Sequence, residues 1–382
     1  MATTPQHQDS SQGHIWISQP EGKSNFFSGP GGRFTFVSTG STNPAQFLQL
    51  DPYSAAMAFV EGRFDVRGDI FEAIRSFSAW PHSTFRHAMF SVLAQLDHLR
   101  ISSLFSNKKE TARNIQFHYD RSNEFYSKFL DSRMMYSAGY FSDPDDTLEQ
   151  AQLQKLGRIC RDLVLRADER FLDVGCGWGG LITYAAERFG VRAFGCTLAE
   201  QQLMHARNAI KKGGLSERVQ VELCDYRDLT GSYDKIASVG MFEHVERGKL
   251  RQYFDRLYSL LAPGGLLLNR GVVRPQNTRD GPDTLFIQRN VFPGGHLVRL
   301  DEVVREGERA GFEVVGLRDL RTHYALTCRC WVQNLQQNVS ACRRLVGDRT
   351  YRTWVLYLAA SSVALEDNRT AAAQVLFAKR RG

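Results

Sequence analysis

The run Phe171-Leu172-Asp173-Val174-Gly175-Cys176-Gly177-Trp178-Gly179-Gly180 limits what this chain can fold into more than any other stretch. An apolar, strand-like segment ends in an acid, and a glycine-dense turn then opens into a helix-like segment over 181–189. Strand, glycine turn and helix in this order build the nucleotide-cofactor corner of an open α/β sheet. Gly175 and Gly177 let the backbone turn sharply and approach a ligand that a Cβ would exclude. A turn with no ligand is the plainer alternative, but strand-to-helix turns this rich in glycine usually accommodate something.

The spacing alone leaves the ligand open. Gly175, Gly177 and Gly180 satisfy G-x-G-x-x-G, the pattern of a dinucleotide site. Two details favour another cofactor. Asp173 stands two residues before the first glycine, where it would repel a pyrophosphate. The next strand, 192–196, ends in Thr197 and lacks the acid that grips an NAD ribose. S-adenosylmethionine carries a sulfonium and an ammonium and no phosphate, so a carboxylate beside the turn suits it. This local chemistry favours a methyltransferase over a dehydrogenase.

Around the turn the pattern alternates. Helices are expected at 154–165, 181–189, 199–212 and 249–261, and strands at 170–174, 192–196, 219–224, 233–239 and 266–268. Ala262-Pro263-Gly264-Gly265 reads as the turn before the last of these. Alternation of this kind predicts an α/β fold, a doubly wound and mostly parallel sheet with ligands at the strands' carboxyl ends. Upstream, Phe34-Thr35-Phe36-Val37 alternates as a strand, 54–61 and 70–78 read as helices flanking a strand at 63–68, and 84–103 reads as a further helix. We therefore divide the chain into a leader (1–30) too polar to order itself, a small α+β domain (31–105) and a catalytic domain (106–382).

Composition excludes more than it selects. Hydrophobic residues make up 42% of 382, enough for a large core, and the formal charge is +7. That excess is compatible with an anionic lipid surface and demands no nucleic acid. All seven cysteines lie at or after Cys160 with no Cys-x-x-Cys pair, and Cys328-x-Cys330 has no histidine at ligand spacing, which suggests reduced thiols and no metal. The start of the chain lacks an apolar signal region, and no run of eighteen apolar residues occurs. A cytoplasmic protein that meets lipid from the water side is the expectation.

Four further segments narrow the reading. Phe117-His118-Tyr119-Asp120-Arg121-Ser122-Asn123-Glu124-Phe125-Tyr126 precedes Met134-Met135-Tyr136-Ser137-Ala138-Gly139-Tyr140-Phe141. Ser238-Val239-Gly240-Met241-Phe242-Glu243-His244-Val245 closes the fourth strand, and Phe292-Pro293-Gly294-Gly295 follows. With the glycine turn, these resemble the cyclopropane-fatty-acyl-phospholipid synthases and their mycolic-acid relatives, from residue 33 to the carboxyl terminus. The resemblance implies a seven-stranded class I methyltransferase sheet. It also implies transfer of one carbon from S-adenosylmethionine to a cis double bond of a phospholipid acyl chain at the membrane surface.

Residue by residue, the resemblance puts Tyr136 and Ser137 over the methionine part of the cofactor, with Asp173, Gly175 and Gly177 as the floor. Thr197 and Gln202 fall at its ribose, and Asp225 and Tyr226 near its adenine. Glu243 matches the catalytic carboxylate and Tyr324 the active-site tyrosine; a helix-capping acid and a core tyrosine are the plainer readings. His118 and His244 read as structural hydrogen-bonders. The family holds a bicarbonate as base, through a cysteine, the glutamate, a histidine and the tyrosine. Here Ala138 stands for the cysteine, leaving only its backbone, and Asn269 stands for the histidine and cannot relay a proton. Arg270 adjoins it on what should be the opposite face. A methyl-branched or methylene product, or methylation of a small molecule, is therefore the alternative to a ring. A lipid-binding protein with decayed chemistry is the alternative of another class. The segment 274–310 is expected to be a helical insertion roofing the acyl site, the small leading domain to engage lipid, and a homodimer is compatible.

Overall fold

A computed structural model of the chain describes residues 16–18, 26–28, 32–38, 50–79, 122–246, 248–278, 280–293, 295 and 297–381. The expected helix at 84–103, residues 117–121 of the first family segment, and Gly294 lie outside the described residues.

The leading unit is an antiparallel meander with two helices. Strands β1 (Trp16–Ser18), β2 (Phe26–Ser28), β3 (Phe34–Ser38) and β4 (Phe64–Gly68) pair in that order. Helix α1 (Pro52–Val60) starts on Asp51, whose carboxylate accepts from Ser54 N–H at 2.9 Å, and α2 (Ile70–Ala79) starts after Asp69. The leader was expected to stay unordered, but two of its short apolar runs pair as β1 and β2. Overall composition averages such runs away, whereas a free β3 edge supplies the backbone partners that three residues need.

The catalytic part follows α3 (Asn123–Ser127). In chain order it comprises α4 (Leu148–Asp162), β5 (Arg170–Val174), α5 (Gly180–Phe189), β6 (Arg192–Thr197), α6 (Glu200–Lys212), β7 (Val219–Leu223), β8 (Tyr233–Val239), α7 (Leu250–Leu260) and β9 (Leu261–Val273). Then come α8 (Pro282–Asn290), α9 (Leu300–Arg309), β10 (Glu313–Asp319), α10 (Arg321–Gln337), α11 (Val339–Glu366) and β11 (Ala371–Ala378). The seven strands order as β10-β11-β9-β8-β5-β6-β7, with β11 antiparallel to both neighbours and β9-β8-β5-β6-β7 parallel. This is the expected mostly parallel sheet. Strand order reverses at β5, so the crevice that takes ligands lies beyond its carboxyl end.

Local chemistry moves two boundaries. Helix α4 begins at Leu148 and not at 154, because Thr147 and Gln150 form a capping box. It ends at Asp162, and Val164 turns to φ +52°. Ala262-Pro263-Gly264-Gly265 is an irregularity inside β9 and not a turn before it, with Gly264 at φ +78° and a register shift against β8.

One apolar cluster ties the leading unit to the catalytic part. Phe34, Phe36, Phe59 and Phe71 pack in it with Phe125, Phe129, Trp331 and Trp354. Buried Arg352 of α11 donates to Asp65 of β4 at 2.8 Å and to Asp348 at 2.7 Å.

Candidate active site

The glycine turn supplies the first wall. Gly175 and Gly177 take φ +77° and +55°, and Gly179 caps α5 at φ +84°, values that side chains with a Cβ rarely tolerate. A Cβ on Gly195 of neighbouring β6 would lie 2.7 Å from the Cys176 Sγ, so the turn also packs closely on that strand.

Above the turn is a cavity of about 110 Å³. Tyr136, Ser137, Asp173, Gly175, Gly177, Thr197, Gln202 and Tyr226 all line it, so eight of the expected cofactor residues converge. The Thr197 hydroxyl donates to Gln202 Oε1 at 2.7 Å and accepts from Ala199 N–H. Asp225 departs from expectation. It does not line the cavity, because Arg227 takes both its carboxylate oxygens, at 2.8 and 2.6 Å, and the acid caps the 226–228 turn.

Asp173 is buried, and its Oδ1 has no hydrogen-bond partner. Burial pushes its carboxyl up to about 7, against the attraction of Lys155. Lys155 of α4 is itself fully buried and donates to the Ser137 hydroxyl at 3.0 Å. Burial and the nearby Arg270 hold its ammonium well below the ordinary range, while Asp131 and Asp173 oppose them. Desolvation thus outweighs attraction for acid and base alike. Beside it, Gln152 donates to the Ser137 carbonyl at 3.0 Å. Neither helix residue is legible as part of a site from the sequence, since one lysine and one glutamine in an amphipathic helix carry no signal of burial.

A second cavity, of about 650 Å³ and mainly apolar, adjoins the first. Tyr136, Ser137, Val239, Gly240 and His244 line both. Its walls come from the leading unit (Phe36, Phe59, Ile70, Phe77), from 274–297 (Phe286, Ile287, Phe292) and from α11. Within the expected insertion, α9 does not line it and packs on α7 instead. The leading unit as a cavity wall has no signature in its own residues.

Glu243, Tyr324 and Ala138 all line the larger cavity, and Ala138 and Glu243 each adjoin in sequence a residue that lines both, Ser137 and His244. Glu243 Oε1 accepts from Val272 N–H at 2.8 Å, while Oε2 is shielded from solvent and has no partner. Burial pushes this carboxyl up to about 7. The Tyr324 ring meets the Trp331 ring edge-on at 6.1 Å. His244 lies against Phe292, and burial pushes it down to about 4, so it stays neutral near pH 7. Asn269 is not part of this group. It points to the other face of β9, where its Oδ1 accepts from the Tyr253 hydroxyl at 2.7 Å. Arg270, one residue on, lines the larger cavity and donates through Nη2 to the Ala138 carbonyl at 2.5 Å.

These residues fit S-adenosylmethionine. The small cavity offers an unpartnered carboxylate for cationic groups, neighbouring hydroxyl and amide groups for a ribose, and aromatic faces at Tyr136 and Tyr226. No lysine or arginine lines it to balance a pyrophosphate. The bicarbonate set fits less well. Its cysteine is Ala138 and its histidine counterpart faces away, so no step is assigned to that ion.

A family model described as mycolic acid cyclopropane synthetase matches residues 106–375. The chain belongs to that family. Its members depend on S-adenosylmethionine. A probable fatty acid methyltransferase of Pseudomonas putida is 40% identical over 330 residues, 84% of this chain and 81% of the relative. A sphingolipid C9-methyltransferase of Emericella nidulans is 31% identical over 85% of this chain and 64% of its own length. Among solved structures, mycolic acid cyclopropane synthase CmaA1 complexed with SAH and CTAB aligns with a TM-score of 0.68 and 28% identity. The alignment covers 70% of this chain and 98% of CmaA1. The cyclopropane synthase MmaA2 from Mycobacterium tuberculosis aligns equally well at 27% identity.

Proposed function

We propose that this family member transfers a one-carbon unit from S-adenosylmethionine to the cis double bond of an unsaturated phospholipid acyl chain, giving a cyclopropane. The observation that carries this reading is the wall shared by the two cavities, where Tyr136, Ser137 and His244 face both the recess above the glycine turn and the larger, mainly apolar cavity. When bound, the cofactor supplies an electrophilic methyl carbon. Asp173 holds its cationic end, and Lys155, through Ser137, sets the loop that covers it.

An isolated olefin is a weak nucleophile, so alignment and exclusion of water carry most of the acceleration. The apolar walls do this for the acyl chain. Methyl transfer leaves a carbocation on that chain, which the Tyr324 face and the Glu243 carboxylate stabilise. Closing the ring requires loss of a proton from the added methyl group. Glu243 Oε2 would take it; the support is that this oxygen is shielded and unpartnered and that burial raises the carboxyl to about 7. Contact with the bilayer would be peripheral and would weaken with salt, which liposome flotation at two ionic strengths measures. Among the described residues no helix is long and apolar enough to cross a membrane.

A methyl-branched product is the second reading, favoured by the loss of the cysteine and histidine of the family's base site and by the methyltransferase names of the relatives. Incubation with methyl-labelled S-adenosylmethionine and dioleoyl phospholipid separates the two. A labelled acyl chain that keeps its mass on mild hydrogenation and is two hydrogens lighter than the saturated branched chain carries a ring, whereas one that takes up two hydrogens, or already has the saturated mass, is branched. Absence of label from every lipid overturns both.

A further inference from the structure

Lys155 lies in the middle of α4, fully buried, and lines neither cavity, so it meets a bound cofactor only through other residues. Its Nζ donates to the Ser137 hydroxyl at 3.0 Å, and Ser137 lines both cavities. The loop 131–139 that carries Ser137 has other ties. Gln152 donates to the Ser137 carbonyl at 3.0 Å. Asp131 accepts from Met135 N–H at 2.8 Å and from Arg133 N–H at 3.1 Å. Arg270 donates to the Ala138 and Gly139 carbonyls, at 2.5 and 3.2 Å. Sealing an ammonium away from water is costly, and the neutral amide of Gln152, one turn earlier on α4, already braces the loop. A positive charge at 155 therefore calls for a partner of its own.

The charges around it leave room for an anion. Asp131 and Asp173 attract the Lys155 ammonium, Arg270 repels it, and all four groups are buried. Glu149 acts on Asp131 and is itself taken by Ser132 N–H at 2.9 Å. Burial raises Asp173 to about 7, so near neutral pH it is only partly ionised and leaves the buried set short of negative charge. The Ser137 hydroxyl says where the missing anion sits. Its oxygen accepts from Nζ, so its own O–H is the bond left to give, and it borders the recess that Asp173 also lines. An O–H polarised by an ammonium is a strong donor to a carboxylate. We propose that Lys155 is a positioning residue for the amino-acid end of the cofactor: through the Ser137 hydroxyl it selects ligands that carry a carboxylate, while Asp173 takes the ammonium. The recess thus reads both charges of that group, one directly and one by relay. The inference rests on S-adenosylmethionine as cofactor and is independent of which lipid product forms.

The test is calorimetric titration of the full chain with three ligands: SAH, its decarboxylated analogue, which keeps the ammonium, and its desamino analogue, which keeps the carboxylate. It is run at about pH 8.5, above the value of about 7 at which Asp173 titrates. K155M and S137A should each weaken SAH and the desamino analogue about tenfold and spare the decarboxylated one. The double variant should bind SAH no more weakly than either single one, because the two residues act in series. Equal losses on all three ligands would show that Lys155 merely shapes the loop, and would overturn the relay. So would a K155M loss confined to ligands with an ammonium, since Lys155 would then act on Asp173 alone. K155Q, uncharged but polar, repeats the measurement should K155M melt below the assay temperature. S137A that binds the desamino analogue as the parent does overturns the relay whatever becomes of the lysine variants. No lipid needs to be turned over, so failure of the acyl reading leaves these outcomes intact.

Discussion

Replacing Glu243 by Gln should cost catalysis and add stability at alkaline pH. In the fold, burial moves this carboxyl from 4.5 to about 7. Each tenfold change in the acid equilibrium corresponds to about 1.36 kcal/mol, so ionising it in the native state is disfavoured by about 2–3 kcal/mol, the lower figure allowing for water in the adjoining cavity. The sign follows from the direction of the shift. Below the unfolded value of 4.5, both states are protonated and the term vanishes; it grows between there and about 7 and is complete above. Glutamine has no such term. Its amide oxygen can keep the Val272 N–H contact, and its amino group takes the place of the unpartnered Oε2. With an unfolding entropy of about 0.8 kcal/mol per kelvin for a chain this long, the term corresponds to about 3 °C in Tm. Melting curves at pH 5 and pH 8 should therefore show the variant gaining about 3 °C on its parent between the two, while turnover falls at least ~100-fold. Parallel pH dependence in the two proteins would refute the buried-carboxylate account. Turnover within a few-fold of the parent would refute its catalytic role.

Other consequences are equally direct. Lys155→Met removes the cation that opposes protonation of Asp173, so SAH affinity should fall about tenfold at pH 7 and its midpoint should move to higher pH, read by titration calorimetry. Arg352→Met should lower stability by about 1–3 kcal/mol in denaturant melts, since Asp65 and Asp348 are half-exposed and regain water, and it should reduce lipid turnover more than SAH binding. Gly271→Ala would set a Cβ 2.6 Å from both Glu243 oxygens and from the Phe242 ring. Steady-state assays should then show at least a ~10-fold loss in kcat, accompanied by a lower Tm.

What was legible in the chain was what is local. The strand, the acid and the glycines at 171–180 dictate their corner through backbone sterics alone, and the order of helices and strands dictates a parallel sheet. Asp173 could be placed by counting from the glycines, Thr197 and Gln202 came from the family resemblance, and all three line the small cavity. Asn269 and Asp225 were misplaced for physical reasons. A position matched to a motif says nothing of which face of β9 it takes, and an acid near a ligand site can be claimed by a closer arginine.

The sequence by itself therefore determined the sheet and the cofactor corner, because both depend on backbone conformation and short-range spacing. Tertiary structure alone decided the rest: that Lys155 is sealed beside Ser137, that Arg270 and not Asn269 lines the larger cavity, and that the leading unit walls that cavity. Those outcomes turn on desolvation and on contacts between segments as much as 293 residues apart, such as Arg352 with Phe59. No local pattern encodes them, because burial is a property of what the rest of the chain brings alongside.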